Sequence, residues 1–282
     1  MYQPLDVPEQ RTASPSPWHS ALELPRVLLE VCALGYSWPL LGGDARGDGH
    51  PVLVLPGFTA GDESTVVLRR YLSRLGYEAL PWQLGQNTGR FELQERLLRH
   101  FERLTRSYSR RISLIGQSLG GVFAREVARQ FPEQVRQVIT LGSPFSSSGP
   151  ETTNAIVGRL FRYMSGMSHN EMRDYMLEFP QTPPPVPSTA IYSKTDGVVH
   201  WSGCLEYPGD QAENVEVYGS HTGMAVNPLV LHVIADRLGQ REGAWRPFQR
   251  KRGLRALMYP EPEVKEVTCA SSRSTRTDAC TI

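Results

Sequence analysis

The sequence predicts an α/β protein with a mainly parallel sheet of about six strands. Short apolar runs alternate with longer segments in which apolar residues recur at helical spacing. Strand and helix in alternation are typical of crossover connections, which make neighbouring strands parallel and put helices on both faces of the sheet. We interpret six short runs as strands, at residues 52–55, 77–82, 112–115, 138–141, 189–193 and 215–218.

The helices are predicted from apolar residues spaced three and four apart. Pro25 suits the first turn of the first helix, and Gly76 ends the second. The fourth helix stops before Pro132. The predicted helices cover residues 26–34, 68–75, 93–104, 119–131 and 228–238.

Composition limits the function classes. Hydrophobic residues make up 40% of the 282 residues and charged residues 21%, which excludes a wholly disordered chain and a multi-span membrane protein. Lys and Arg total 30 against 29 Asp and Glu, a net charge of +1, so no overall field recruits nucleic acid. The amino-terminal segment lacks a basic stretch followed by an apolar run, and no stretch could span a membrane. We therefore expect a cytoplasmic protein.

One pentapeptide carries the sharpest chemical signal. Gly116-Gln-Ser118-Leu-Gly120 lies directly between a predicted strand and a predicted helix. This is the context of a nucleophile elbow, in which a tight turn projects the serine oxygen above the sheet edge. The helix amino terminus beneath it favours negative charge. Ser118 is therefore the predicted nucleophile.

A serine nucleophile needs a base to take its proton and an acid to orient that base. In proteins with a nucleophile elbow the acid and the histidine follow the serine in the chain. Asp196 and His221 each lie in a loop just after a predicted strand, where parallel sheets place ligands. Asp196 would orient the imidazole of His221, which would take the serine proton. Asp210 and His200 are the rivals. Asp210 stands in a Tyr-Pro-Gly-Asp turn and His200 follows Asp196 closely.

The oxyanion that forms on attack needs two hydrogen-bond donors. The backbone N–H of Leu119, the residue after the nucleophile, is one candidate. The second is expected in the loop after the first strand, where Pro56 cannot donate and Gly57 lets the backbone approach a substrate. We choose the N–H of Phe58; the alternative is an ordinary Pro-Gly turn.

Residues 146–188 interrupt the alternation and are predicted to form a helical cap. They hold two amphipathic pieces, from Val157 to Met164 and from Met172 to Phe179, before a proline-rich exit. Insertions of this length are often lids or binding elements. Met164 and Met176 are candidates for an acyl-chain wall, although the same residues would also suit packing of the cap on the core. Trp201 is a further candidate, with core packing as its alternative.

The chain resembles the α/β-hydrolase superfamily, in particular its bacterial lipase and carboxylesterase-like branch. The resemblance covers residues 49–238 and rests on VLVLPGF (52–58), LIGQSLGG (114–121), ITLGSPF (139–145), IYSKTDGVV (191–199) and VYGSHTGM (217–224). It implies an α/β-hydrolase fold, a Ser118–Asp196–His221 triad and an oxyanion hole at Phe58 and Leu119. Pro56-Gly57 replaces the His-Gly of many true lipases, which argues against a long-chain triacylglycerol substrate.

The expected domain organisation is an amino-terminal arm and helix (1–48), an α/β-hydrolase catalytic domain (49–240) and a basic, then Ser/Thr-rich tail (241–282). The expected function is hydrolysis of carboxylic esters through an acyl-enzyme. A thioesterase, an acyltransferase and a non-catalytic binding protein are the alternatives. We expect no cofactor, because no Cys/His spacing resembles a metal site. A small-molecule ester is the expected partner. The basic residues near position 250 could contact acidic lipid or nucleic acid, but a solvated tail is the favoured interpretation.

Overall fold

Six strands form one parallel sheet in the computed structural model, which describes residues 14–41, 47–146, 153–166, 182–250 and 255–265. The strands are β1 (Pro51–Leu55), β2 (Glu78–Pro81), β3 (Ile112–Gln117), β4 (Val135–Leu141), β5 (Ser188–Tyr192) and β6 (Ala212–Glu216). They lie in the order β2-β1-β3-β4-β5-β6, and every neighbouring pair is parallel. The predicted α/β class and strand number are confirmed.

Helices connect the strands as the apolar spacing predicts. They are α1 (Pro17–Ala21), α2 (Glu23–Ser37), α3 (Val66–Leu75), α4 (Phe91–Ser107), α5 (Leu119–Gln130), α6 (Ala155–Ser165), α7 (Pro228–Leu238) and α8 (Arg255–Met258). Short 3-10 turns occur at Asp62–Thr65, Trp201–Cys204 and Met224–Val226. The first predicted helix, 26–34, is longer than expected at both ends, and Pro25 lies in its first turn.

The core lies on both faces of the sheet because the central strands are apolar on both sides. In β1, Val52 and Val54 join the cluster that α3 and α7 cover, whereas Leu53 and Leu55 join the cluster under α4 and α5. All five residues of β1 are buried. The sheet therefore holds rigidly the loops that leave its carboxyl edge.

Strand β6 begins and ends earlier than the predicted 215–218. It is an edge strand, and its second and third residues, Glu213 and Asn214, are polar. Glu213 accepts hydrogen bonds from the Thr189 hydroxyl at 2.9 Å and from Arg237 at 2.6 Å. These partners form hydrogen bonds with the charged Glu213 side chain. The polar start of β6 can therefore pair with β5, although the sequence there has no apolar pattern that predicts a strand.

The segment that follows α7 packs on the sheet where the structure describes it. The sequence predicts residues 241–282 as a tail, yet Phe248, Tyr259 and Lys265 are buried. The rings of Phe248 and Tyr259 meet edge to face, with centroids 4.9 Å apart.

The cap region is described in part. Helix α6 corresponds to the first predicted piece of residues 146–188. It begins after Asn154, whose side chain accepts a hydrogen bond from the Ile156 N–H at 2.9 Å. It ends at Gly166, which has a φ of 74°. The second predicted piece, with Met176, lies outside the described residues.

Candidate active site

Ser118 occupies a strained turn between β3 and α5. Its φ is 51° and its ψ is −124°, a conformation that residues other than glycine rarely adopt. A Cβ at Gly116 would lie 2.3 Å from the Gly120 oxygen, so the turn closes only because Gly116 has no side chain, and a Cβ at Gly120 would lie 2.5 Å from the Leu55 oxygen of β1. The sequence-predicted elbow thus has the backbone geometry that projects its serine from the sheet edge.

The loop after β1 crosses close to Ser118. A Cβ at Gly57 would lie 3.3 Å from the Ser118 Cβ. Within the described chain, the backbone N–H groups of Phe58 and Leu119 donate no hydrogen bond, and Leu119 is the first residue of α5. Two unpaired donors next to the serine are what an oxyanion site requires. The backbone segments that carry the two predicted donors therefore pass close to the serine.

A side chain that the sequence analysis missed holds this loop. The Asn87 side-chain amide donates to the Pro56 oxygen at 3.0 Å, and the Asn87 backbone carbonyl accepts from the Thr59 N–H at 2.8 Å. Thr59 has a φ of 65°. Asn87 is fully buried and fixes the backbone on either side of Phe58.

Asp196 and His221 form a buried pair. The Nδ1 of His221 lies 2.6 Å from the Oδ2 of Asp196. The other carboxylate oxygen, Oδ1, accepts hydrogen bonds from the N–H groups of Val198 and Val199, both at 2.8 Å. Two backbone donors on one oxygen leave the second directed at the imidazole.

The charge of Asp196 controls the protonation of His221. Burial of the ring works to lower the pKa of His221, but the negative charge of Asp196 and its hydrogen bond outweigh burial, so the pKa is raised above 6.5. The His221 imidazole, paired with Asp196 in this way, can accept a proton and keep it as an imidazolium ion beside the carboxylate.

Two contacts bring this pair to Ser118. The Ser118 N–H donates to the Leu141 oxygen at 2.8 Å. A Cβ on the next residue, Gly142, would lie 3.1 Å from both the Asp196 Oδ2 and the His221 Nδ1. The amide of Gln117 donates to the His221 oxygen at 3.1 Å. The backbone beside Ser118 therefore lies close to the Asp196–His221 pair at the carboxyl edge of the sheet.

Helix α2 holds the loop that carries His221 through an acid that the sequence analysis did not single out. Glu30 is buried and accepts hydrogen bonds from both the N–H and the hydroxyl of Ser220, each at 2.6 Å. The Asn227 amide adds a third at 3.3 Å. Burial raises the pKa of Glu30 above its ordinary value, against these hydrogen bonds, which lower it.

The same helix holds the loop of Asp196. Glu23 accepts from the Gly197 N–H at 3.2 Å and from the Thr222 N–H at 2.8 Å, so it joins the acid loop to the histidine loop. Arg26 pairs with Glu23 at 2.8 Å and also donates to the Thr195 oxygen. The available signal was the spacing of Glu23, Arg26 and Glu30 along one side of an otherwise apolar helix.

The rival residues have other partners. Asp210 is exposed. The Nδ1 of His200 lies 2.8 Å from the Ser202 hydroxyl, and burial lowers the pKa of this histidine. Neither of them takes the place of Asp196 or His221 in the pair.

A second Ser–His–Asp arrangement occurs at the opposite edge of the sheet. The Nε2 of His50 lies 2.8 Å from the Ser113 hydroxyl, and its Nδ1 lies 2.5 Å from Asp48. Ser113 and His50 are fully buried, and Ser113 lies within β3 rather than at an elbow. Arg136 also contacts His50, at 3.0 Å. This cluster has the geometry of a buried structural network, which a substrate cannot reach.

Helix α6 packs over the loop after β1 that carries Phe58. The rings of Phe161 and Phe58 lie 5.0 Å apart, and a Cβ at Gly89 would lie 2.4 Å from the Phe161 ring. Arg90 donates to the Met164 oxygen at 3.2 Å, and Met164 is half-buried. Its partner in the predicted acyl wall, Met176, lies outside the described residues.

Trp201 lies beside the acid loop. Its ring is 6.2 Å from that of Tyr192 and 5.4 Å from that of His200, and the Lys194 ammonium is 5.5 Å from it.

The described residues contain no group of three or more His, Cys, Asp or Glu side chains able to hold a metal ion. None of their helices is both long enough and apolar enough to cross a bilayer.

Comparison with known proteins identifies the fold. No protein-family model matches the sequence. The chain is similar to Aspergillus fumigatus lipase B, with 15% identity and a TM-score of 0.52 over 72% of this chain, although it spans only 55% of the lipase's length. It is also similar to a monoacylglycerol lipase of Paleococcus ferrophilus, with 14% identity and a TM-score of 0.50 over 67% of this chain and 95% of that one. The chain has the α/β-hydrolase fold.

Proposed function

We propose that the protein is a serine hydrolase that cleaves carboxylic esters through an acyl-enzyme. The observation that carries the proposal is the buried Asp196–His221 pair, which stands beside a serine with a φ of 51°. The structural neighbours, a lipase and a monoacylglycerol lipase, support hydrolase chemistry on this fold. Their low identity leaves the ester specificity to be argued from this chain's own residues.

In the proposed first half-reaction, the Ser118 oxygen attacks the ester carbonyl while His221 takes the hydroxyl proton. The carbonyl π electrons move to the oxygen, and the N–H groups of Phe58 and Leu119 stabilise the resulting charge. The tetrahedral intermediate collapses, the bond to the alcohol breaks, and His221 returns the proton to the departing alcohol. Ser118 is left acylated.

In the second half-reaction, water takes the place of the alcohol. His221 accepts a proton as the water attacks the acyl carbon, and Ser118 leaves with that proton when the acid is released. Asp196 holds the imidazole in one tautomer and stabilises its charged form throughout. Each proton that His221 accepts is returned within the same half-reaction, so the proposed cycle needs no cofactor.

The acyl group is proposed to lie along α6. The Phe58–Phe161 ring contact supports an apolar wall over the loop that carries Phe58. Met164, on the same helix as Phe161, and Met176 are the proposed continuation of this wall. Trp201 remains a proposed substrate contact on the side of the acid loop.

A fluorophosphonate probe tests the serine assignment, because it reacts with an activated serine and mimics the tetrahedral intermediate. We expect the wild type to be labelled at Ser118 and Ser118→Ala to be unlabelled with an unchanged circular dichroism spectrum. Ser113→Ala is the matched control, because it removes the serine of the buried second cluster and should leave labelling intact. A folded wild type that is not labelled would support a binding protein and contradict the proposal.

The substrate class is tested by comparing the rates at which esters and thioesters are hydrolysed. Activity on p-nitrophenyl esters of increasing chain length should be compared with activity on acyl-coenzyme A thioesters, and Ser118→Ala should lose several orders of magnitude in kcat. A kcat/KM that is much higher for the thioesters would replace the ester proposal with a thioesterase.

A further inference from the structure

Helices α1 and α2 present an apolar face to solvent. Leu24 is 76% exposed, Tyr36 is 87% exposed and Trp18 is 77% exposed. We call this set the α1–α2 face; it comprises Trp18, Leu24, Leu28, Leu29 and Tyr36 on the helices and Leu40 in the turn after α2, all of them exposed. Scattered exposed apolar residues are ordinary, but a contiguous row along consecutive helices marks an interaction surface.

An ordinary surface helix turns its polar side to water and its apolar side to the core, whereas α2 turns its charged side to the protein and its apolar side to water. The charged residues of the helix are Glu23, Arg26 and Glu30, and all three bond to the loops of the active site. The exposed arc from Leu24 to Leu40 therefore carries no charged side chain. Turning the helix over would bury the leucines but would break those bonds.

The apolar surface continues onto α6 at the site. The Asn154 amide, at the start of α6, donates to the Ser20 hydroxyl of α1 at 2.8 Å. From there α6 exposes Ile156, Leu160 and Tyr163. Its opposite side carries Phe161, which covers Phe58. The surface thus borders the elements that surround Ser118.

The charges on this surface have one sign. The charged residues of α6 are Arg159, which is exposed, and Arg162, and the helix has no acid. On α2 both acids are buried against the loops. The charge available to a partner is therefore basic, which complements the phosphates of anionic lipid.

We propose that the α1–α2 face, together with the exposed side of α6, docks on an anionic phospholipid surface. The face consists of exposed apolar side chains, and a fluid bilayer can take them up without a shaped groove. Between Leu24 and Leu40 it offers almost no hydrogen-bonding groups, whereas protein interfaces carry roughly one hydrogen bond per 100–200 Å². Trp18 and Tyr36 are the residue types that favour the headgroup region. This arrangement is that of an interfacial amphipathic helix with arginines at its border.

Vesicle co-sedimentation tests the docking, and the Ser118→Ala chain is used so that the result does not depend on turnover. Binding is compared between vesicles of phosphatidylcholine alone and vesicles of phosphatidylcholine and phosphatidylglycerol in equal amounts. We expect binding to the mixed vesicles and weaker binding to the neutral ones. Leu24→Gln/Leu28→Gln should weaken binding by at least about tenfold, and Arg159→Gln should weaken binding to the mixed vesicles alone, by about fivefold.

Leu257→Gln is the matched control, because Leu257 is an exposed leucine on α8, outside the surface. It should bind vesicles as well as the parent does. All these side chains are exposed, so unchanged thermal unfolding is expected for each variant. Equal losses in the Leu257 control and in the Leu24/Leu28 variant would contradict a docking surface on α1 and α2.

The fluorescence of a label on α2 is an independent measurement of the docking. Cys32 lies on α2 and is exposed, whereas Cys204 is buried. With Cys269 and Cys280 replaced by Ser, a polarity-sensitive maleimide should attach at Cys32, and its emission should shift to the blue on the mixed vesicles. No shift and no co-sedimentation would overturn the proposal. So would a dimer that Leu24→Gln/Leu28→Gln makes monomeric, or protection of Cys32 in the free monomer, since each shows that protein covers the face.

Discussion

The carboxylate of Glu30 in α2 accepts two hydrogen bonds from Ser220, the residue directly before His221, each at 2.6 Å. The candidate base is thereby anchored by a helix far away in the sequence. Glu23, two turns earlier on α2, bonds to the residues that follow Asp196 and His221. Helix α2 therefore joins the two loops whose relative position sets the Asp196–His221 distance.

We predict that Glu30→Ala lowers kcat more than it raises KM. The change leaves the buried Ser220 N–H without its acceptor, which costs about 1–3 kcal/mol of unfolding free energy, and it frees the loop of His221. Steady-state kinetics and urea unfolding measure the two effects. Glu92→Ala, at an exposed position of α4, should change neither. A stability loss with unaltered kcat would show that the helix is structural only.

We predict that Glu30 makes stability fall as pH rises. Burial raises the pKa of its carboxyl above 4.5 in the folded protein, so the folded state holds the proton more tightly than the unfolded chain. The stabilising contribution is complete below pH 4.5 and is lost as pH rises through the raised pKa. The unfolding free energy of the wild type minus that of Glu30→Gln should therefore decrease across this window. A difference that is independent of pH would contradict the prediction.

We predict that Asp196→Asn lowers kcat by about 10⁴, because the amide presents His221 in the wrong tautomer. It also removes the charge that raises the pKa of His221 above 6.5, so the acid limb of the kcat/KM profile should move to lower pH. Asp210→Asn, at an exposed position, should leave both the rate and the limb unchanged. If Asp210→Asn has the larger effect, the acid is misassigned.

We predict that Gly142→Ala impairs catalysis beyond its effect on stability. Gly142 has a φ of 55°, and a Cβ there would lie 3.1 Å from both Asp196 and His221. Gly166→Ala is the control, because Gly166 has a φ of 74° but open space around a Cβ. Both changes should cost roughly 1–2 kcal/mol of backbone strain, and only Gly142→Ala should also lower kcat. Equal kinetics for the two folded variants would show that Gly142 leaves the pair undisturbed.

We predict that α6 contributes to chain-length preference. If Met164 contacts the acyl chain, kcat/KM should rise about fourfold for each CH₂ that is buried, at ~0.8 kcal/mol, and Met164→Gln should flatten this rise while sparing acetate esters. The sequence predicts the same for Met176→Gln. Ile156→Gln, on the exposed side of α6, is the control in assays without lipid. A uniform loss at every chain length would leave Met164 with a packing role.

The strands, the helices and the elbow were predictable because their signals are local. Apolar periodicity is imposed by the backbone, and the glycines around Ser118 are required by the turn in which they stand. Ser118, Asp196 and His221 follow the carboxyl ends of β3, β5 and β6, so all three lie at one edge of the sheet once the strands are parallel. Strand β6 was misplaced because its polar start depends on partners from β5 and α7 rather than on its own pattern.

Only the tertiary structure could decide which side of α2 is buried. Periodicity shows that one side of the helix is apolar, and the usual inference buries that side in the core. In this protein the polar side is buried, because Glu23 and Glu30 find partners in loops that lie far along the chain. The apolar side is left exposed. The sequence pattern shows which side of a helix is apolar. Contacts between residues distant in the chain determine which side is buried, and those contacts form only in the folded protein.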